Sequence, residues 1–209
     1  AAWHNHAANA GLTSRDRTLD GPALFAPSPE PIADASSTAE DNAASIGLLS
    51  DANWPDNAPT PEQVIYAQSG LLDREIGRLK PRTPGKVSLY AIVFAGDGSQ
   101  NVFRNEAEYA AQLFTKRFGP SAHSLVLENN PASLATHPLA DWSNLEGALA
   151  GVHQVMQPDQ DILILYVTSH GSEDHTWLVD MYPLPLEQID AQDLAGILAA
   201  HPFKWKVLV

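Results

Sequence analysis

The sequence predicts an α/β domain of three layers, in which a mainly parallel β-sheet lies between helices. From residue 60 onward, apolar strand-like runs alternate with helix-like stretches, as is typical of parallel strands joined by crossover helices. Residues 162–167 are apolar or aromatic at all six positions, which indicates a strand buried on both faces. Together these patterns favour a sheet covered by helices on each side.

Four helices are predicted from capping residues, apolar stripes and closing Gly or Pro residues. Their predicted ranges are 61–80, about 105–118, about 143–156 and 190–200. The first has the clearest start, because Thr60 and Gln63 form a capping-box pattern with Pro61 in the first turn. Ser143 with Glu146 is expected to cap the third helix.

Four strands are predicted between these helices from runs of apolar residues. Their predicted ranges are 87–94, 123–127, 162–167 and 204–209. The last of them is expected to be buried, and residues 177–181 are expected to form a short hairpin. A free carboxylate at the end of a buried strand would be poorly solvated, so we expect the fold to be incomplete at Val209 and the natural chain to continue.

Residues 1–58 are predicted to be a flexible, acidic leader, and residues 59–209 the N-terminal part of the folded domain. The leader is rich in Pro, Ala and Ser, and such a composition cannot bury enough apolar area to offset its ordering entropy. The chain begins with Ala1 rather than Met. We therefore expect that an N-terminal segment has been removed, which favours a secreted or cell-envelope protein.

The charge of the chain limits its partners. Its 25 Asp and Glu residues against 12 Lys and Arg residues give a net charge of -13, which argues against nucleic acid or an anionic membrane as a partner. The chain contains no cysteine, so it has neither disulfides nor thiolate metal sites. No cofactor is predicted, and nothing in the sequence indicates an oligomeric state.

Candidate functional residues follow two of the predicted strands. The strand at 162–167 ends on Thr168 and Ser169 and is followed directly by His170 and Gly171. The first strand is followed by the Gly-rich loop 95–100. Because the carboxyl ends of parallel strands share one edge of the sheet, where ligands bind in open α/β folds, these two loops are predicted to form the active edge.

These features resemble the caspase-type fold, and in particular the legumain (asparaginyl endopeptidase) family of cysteine peptidases, which also includes the catalytic subunit of the GPI-anchor transamidase. The resemblance covers about residues 87–209. Its first match is an apolar strand ending in His170-Gly171, and its second is the Gly-rich turn followed by Arg104. The third is the strand 205–209, after which relatives carry a cysteine within a few residues.

The resemblance implies a peptidase that cleaves a peptide or protein substrate. His170 would be the general acid/base, since imidazole can cycle between its charge states near neutral pH. Gly171 would offer its backbone N–H to the oxyanion. The nucleophilic cysteine would lie beyond Val209, so the 209-residue chain itself is expected to be inactive.

The resemblance also implies two further roles. Arg104 would lie in the pocket for the side chain that precedes the scissile bond, where relatives grip an Asn amide. Asn101 is a possible residue for orienting the histidine, although it stands one position farther from Arg104 than the family's Asn, and Val102 occupies the aligned place. Ser169 departs from the Asp that relatives often have before the His-Gly pair.

Other interpretations of the same residues remain open. The domain is alternatively a non-catalytic binding or regulatory module on a caspase-like fold, or a metal-dependent hydrolase that uses His170, Asp174 and His175. Arg104 by itself is typical of a solvated residue at a helix start. Asp97 is interpreted as a turn former, because Asp-Gly is characteristic of turns.

Overall fold

The structure is a computed structural model, and it describes residues 54–82, 84–119 and 122–209. The predicted leader at 1–58 lies outside the described residues except for 54–58. In that short stretch, Trp54 donates a hydrogen bond from Nε1 to the Pro59 carbonyl at 2.7 Å and packs against a cluster that includes Val64 and Leu139. The last residues before the first helix are therefore attached to the domain.

Helices and strands alternate along the described residues, as predicted. In chain order they are α1 (Pro61–Arg78), β1 (Leu89–Ala95), α2 (Asn101–Phe118), β2 (Ala122–Glu128), α3 (Trp142–Val155), β3 (Ile162–Thr168), α4 (Ala191–Ala200) and β4 (Trp205–Leu208). None of these helices is long and apolar enough to cross a lipid bilayer.

The four strands form one parallel sheet in the order β2-β1-β3-β4. The chain leaves β1 toward β2 on one side and later returns as β3 on the other side. The topological switch point of the sheet therefore lies between β1 and β3. In open α/β sheets, ligands bind outside the carboxyl ends of the strands at such a point.

Alternate residues of β1 face different helical layers. Tyr90, Ile92 and Phe94 pack in the largest core cluster, with α1, α3 and α4, while Val93 and Ala95 pack against α2. All seven residues of the strand are buried, as expected for a central strand covered on both faces. The predicted three-layer α/β fold is therefore confirmed.

Capping residues set the starts of three helices. Thr60 and Gln63 form the predicted capping box of α1, and Asp190 caps α4 with its carboxylate. The predicted cap of α3 is wrong, because the helix begins at Trp142 and the Asp141 side chain accepts the Asn144 N–H. Asp141 precedes the predicted cap by two residues, and its carboxylate caps the helix in place of the Ser143 hydroxyl.

Helix α2 begins at Asn101, four residues earlier than predicted. Its N-cap, Gln100, makes no side-chain capping bond, so the usual start signal is missing. As a consequence, Asn101 and Arg104 lie in the first turn of a helix rather than in a loop.

Two predicted β elements differ from the structure. Strand β4 pairs with β3, but all four of its residues are exposed, and Trp205 is 54% exposed. The prediction of a buried strand is wrong because no described element packs over its faces. Residues 177–181 form isolated bridges, Gly171 with Trp177 and Trp177 with Ile189, rather than a hairpin.

Candidate functional site

His170 lies just past the carboxyl end of β3, at the switch point of the sheet. Thr168, the last residue of the strand, accepts a hydrogen bond from the Gly96 N–H at 3.0 Å, which ties the two loops together. The His170 carbonyl accepts the Leu178 N–H at 2.9 Å. The backbone of His170 is thus fixed, while its side chain is 54% exposed.

The register of the sheet brings Asp97 to the imidazole of His170. Ala95 pairs with Thr168, so Asp97 and His170 each lie two residues past a paired position. Asp97 Oδ2 is 3.7 Å from His170 Nε2. Sequence reasoning interpreted Asp97 as a turn former and missed this contact, although equal offsets from two adjacent strand ends are a signal that could have found it.

Asp97 also has the predicted turn role. Its Oδ1 accepts the Ser99 N–H at 2.8 Å, which is the geometry of an Asx turn. The residue is fully buried, and its second oxygen, Oδ2, has no hydrogen-bond partner in the described part of the chain. One oxygen of the carboxylate therefore shapes the loop, and the other faces His170.

Two residues at the start of α2 also contact His170. Gln100 places its amide nitrogen 3.0 Å from His170 Nε2. The Phe103 ring meets the imidazole edge to face, with ring centroids 4.9 Å apart and planes at 79°. Both contacts depend on the early start of α2, which brings its first turn against the loop after β3.

Asn101, the predicted orienting residue, does not contact His170. Its Oδ1 accepts a hydrogen bond from Asn130 Nδ2 at 2.9 Å, on the β2 side of the site. The reason is helical geometry, since Asn101 precedes Phe103 by two positions, and residues at that spacing do not share a helix face. Gln100 and Asp97 occupy the place beside the imidazole.

Two clefts meet at the His170 side chain. One, of about 290 Å³, is lined by Ser169, Gly171 and Trp177 together with Leu208 and Val209. The other, of about 370 Å³, lies between His170, Gly171 and the loop that includes Asp174 and Leu178. The imidazole is therefore accessible from two directions along the active edge.

Gly171, the predicted oxyanion donor, lines both clefts. Its backbone N–H has no hydrogen-bond partner among the residues that the structure describes. A Cβ built on Gly171 would meet only the Thr176 carbonyl oxygen, at 3.8 Å. A side chain at this position would therefore not clash with its surroundings. The feature of Gly171 that could take part in a reaction is its backbone N–H.

Arg104 lies apart from His170, in a charged group on the β2 side. Its Nη2 lies 2.9 Å from Glu108 Oε1, and its Nε lies 3.8 Å from Glu128 Oε1. The His137 ring approaches the same Glu128 oxygen at 3.5 Å. Burial raises the pKa of Glu128, although Ser133, His137 and Arg104 lower it. The predicted pocket role of Arg104 stays a prediction.

The predicted metal ligands do not converge. Asp174 is exposed and accepts a hydrogen bond from Ser172 Oγ, a contact that lowers the pKa of the Asp174 carboxyl group. His175 adopts a left-handed backbone conformation, with φ of 65°. Over the described ranges, no three side chains of His, Cys, Asp and Glu come together as a metal site. The metal alternative gains no support from this geometry.

Comparison of the chain with protein-family models, curated proteins and solved structures finds no match in any of the three.

Proposed function

We propose that this chain carries the acid/base half of a legumain-like cysteine peptidase or transpeptidase site. The observation that carries the proposal is an accessible imidazole, that of His170, with its backbone fixed at the switch point of a parallel sheet. Peptide-bond cleavage needs a group that takes a proton from the nucleophile and returns it to the leaving amine. Imidazole is suited to that cycle at neutral pH.

The nucleophile is proposed to follow Val209 in the natural protein. Strand β4 is paired with β3, and the Val209 carbonyl accepts the Val167 N–H at 2.9 Å. Val209 and His170 line the same cleft. A cysteine within a few residues of Val209 would enter this cleft, where the imidazole favours its thiolate.

Gly171 is proposed to supply an oxyanion donor. Gly171 lines the same cleft as His170, and its N–H has no hydrogen-bond partner within the described residues. A backbone donor of this kind is typically worth about 100- to 1000-fold in rate. Both groups would then act on one carbonyl carbon.

A substrate preference is proposed from the surroundings of Arg104. Arg104 suggests an amide or acidic side chain before the scissile bond, by resemblance. However, Glu108 and Glu128 surround its guanidinium, and two carboxylates against one cation disfavour a third acid. An amide such as Asn or Gln is therefore the proposed preference, and a peptide library that reveals Lys or Arg at this position would contradict it.

The test is made on a polypeptide that continues past Val209, as the proposal requires. Alkylation with iodoacetamide should abolish peptide cleavage, and chelation with EDTA should leave it intact. The His170→Ala variant should lose turnover by at least about 100-fold while its free energy of unfolding changes by less than about 1 kcal/mol, because the side chain is exposed. The matched control is His175→Ala, in the same loop, which should retain turnover.

Three results would contradict the proposal. Sensitivity to EDTA without sensitivity to alkylation would favour a metal-dependent hydrolase. Collapse of the fold in His170→Ala would indicate a structural histidine. Absence of cleavage across a peptide library, with no cysteine following Val209, would favour a binding module.

A further inference from the structure

The Asp97 carboxylate is buried, and one of its two oxygens lacks a hydrogen-bond donor among the described residues. The residue is fully buried, and its Oδ1 accepts the Ser99 N–H at 2.8 Å. Its Oδ2 has no hydrogen-bond partner in the parts of the chain that the structure covers. A buried carboxylate oxygen without a donor is costly, so a turn former alone would not need an acid at this position.

The imidazole of His170 lies close to this oxygen. The distance from Oδ2 to Nε2 is 3.7 Å, which is longer than a hydrogen bond. Catalytic hydrogen bonds are often long in the absence of substrate and shorten when the site is occupied. The approach of a buried carboxylate to one imidazole nitrogen therefore defines which nitrogen carries a proton.

We propose that Asp97 is a positioning residue for His170, which holds the Nε2–H tautomer and leaves Nδ1 bare for chemistry. Gln100 is compatible with this assignment, since it is exposed and its amide can turn to present Oε1 to the Nε2–H. The buried carboxylate cannot change its character in that way. Asp97 therefore sets the tautomer of His170, and the Gln100 amide takes the orientation that suits this tautomer.

The reaction step deepens, and rests on, the proposed function. Nδ1 accepts the proton of the cysteine thiol, which gives a thiolate and an imidazolium whose Nε2–H points at the Asp97 carboxylate. The thiolate attacks the carbonyl carbon. When the C–N bond breaks, the Nδ1 proton passes to the leaving amine, and the imidazole is neutral again.

The experiment measures the tautomer directly on the 209-residue chain. Long-range ¹H–¹⁵N spectra of the imidazoles, recorded at about pH 9 where imidazole is neutral, distinguish Nε2–H from Nδ1–H. The signals of His170 are assigned by their loss in His170→Ala. We expect the Nε2–H tautomer in the wild type.

The decisive variant is Asp97→Asn. The Ser99 N–H keeps an oxygen at the Oδ1 position, so the new amide nitrogen faces Nε2 and requires it to accept. The tautomer should switch to Nδ1–H. Retention of Nε2–H in a folded Asp97→Asn protein would overturn the proposal and leave Asp97 as a turn former.

Two control variants test whether the effect is specific. Asp174→Asn removes an acid from the same loop as His170. The Asp174 carboxylate accepts a hydrogen bond from Ser172 Oγ, so this variant should leave the His170 signals unchanged. Gln100→Ala removes the other neighbour of Nε2 and should retain the Nε2–H tautomer. A switch to Nδ1–H in Gln100→Ala would assign the tautomer to Gln100 and overturn the role of Asp97.

If Asp97→Asn does not fold, the tautomer of His170 in the folded proteins still tests the proposal. A wild-type Nδ1–H tautomer overturns the proposal. An Nε2 proton that exchanges slowly with solvent in Gln100→Ala supports it, because the imidazole is exposed and the Gln100 amide is then absent as an acceptor.

The activity of the natural protein gives a separate readout. There, Asp97→Asn should lower kcat by at least about 100-fold and change KM little, because a wrong tautomer removes the base without removing substrate contacts. A switched tautomer in a protein that cleaves no peptide would contradict the proposed function and leave the positioning role intact. A peptidase whose Asp97→Asn variant keeps its kcat would contradict the positioning role alone.

Discussion

Phe103 and His170 meet edge to face across the switch point, with ring centroids 4.9 Å apart. Phe103 is in the first turn of α2 and packs with Val93, Ala95 and Ala107 on one face of the sheet. The exposed imidazole therefore rests on a residue of the core. Rigidity at the candidate site is supplied by packing as well as by hydrogen bonds.

Replacing Phe103 should affect stability and the site together. Phe103→Ala removes a side chain that is only 8% exposed and should lower the free energy of unfolding by about 3 kcal/mol, measured by urea denaturation. Phe103→Leu keeps most of the apolar volume and should cost about 1 kcal/mol. It should still broaden the His170 ring signals, because the ring contact is lost.

The control for Phe103 is Tyr109→Ala, on the same helix. Tyr109 is 66% exposed, so its removal should change the free energy of unfolding by less than about 0.5 kcal/mol. Equal losses for the two variants would show that helix propensity, rather than core packing, sets the cost.

Gly96 should be intolerant of any side chain. A Cβ at this position would lie 2.7 Å from the Leu178 carbonyl oxygen and 3.1 Å from Ser169 Oγ. The first of these atoms is backbone, and the Leu178 N–H also holds the His170 carbonyl. Gly96→Ala should therefore cost about 1 to 3 kcal/mol in urea denaturation and displace the loop that carries His170, visible as altered His170 NMR signals.

Gly70→Ala is the matched control for Gly96→Ala. Gly70 lies within α1, and a Cβ there would meet nothing within 4 Å. Because glycine is unfavourable inside a helix, this variant should gain about 0.5 to 1 kcal/mol of stability. Destabilisation by both variants would mean that the close approach at Gly96 is not the cause.

The fold was predictable from the sequence because its strongest signals are local. Runs of apolar residues marked β1 and β3, and capping residues marked the starts of α1 and α4. The start of α2 was missed because Gln100 makes no side-chain cap. The exposure of β4 was missed because an apolar sequence indicates only that a strand is suited to burial. Whether the strand is buried depends on other elements packing against it.

The candidate site was predictable only in part, for a related reason. His170 follows a buried strand, and the local sequence is sufficient to predict that placement. Its contact with Asp97 depends on the pairing of Ala95 with Thr168, which no local pattern specifies. The separation of Arg104 from His170 likewise follows from helix rotation, since the guanidinium turns toward Glu108 and Glu128.

Asp161 should be among the costliest polar residues to remove. It is fully buried, and its carboxylate accepts the N–H groups of Ser88 at 2.9 Å and Gln157 at 2.8 Å, as well as Arg82 Nε at 3.2 Å. Asp161→Ala leaves these donors without an acceptor and should cost about 3 kcal/mol in urea denaturation. The exposed neighbour Asp159 is the control, and Asp159→Ala should cost less than about 0.5 kcal/mol.

Glu128 should make the protein less stable as pH rises. Burial raises the pKa of Glu128 above its ordinary value of 4.5, so the folded state binds the proton more tightly than the unfolded chain. This contribution to stability is fully present below the unfolded pKa and is lost as pH increases through the raised folded pKa. Glu128→Gln cannot ionise and should therefore be more stable than the wild type at neutral pH.

The measurement is urea denaturation of Glu128→Gln and wild type between about pH 4 and pH 8. The advantage of the variant should be largest at the upper end and should shrink as pH falls. Glu146→Gln, at an exposed position of α3, is the control for removing one negative charge from a chain of net charge -13. A variant that is less stable than wild type at pH 8 would instead mean that the attraction of Arg104 and His137 for the Glu128 carboxylate outweighs the cost of its burial.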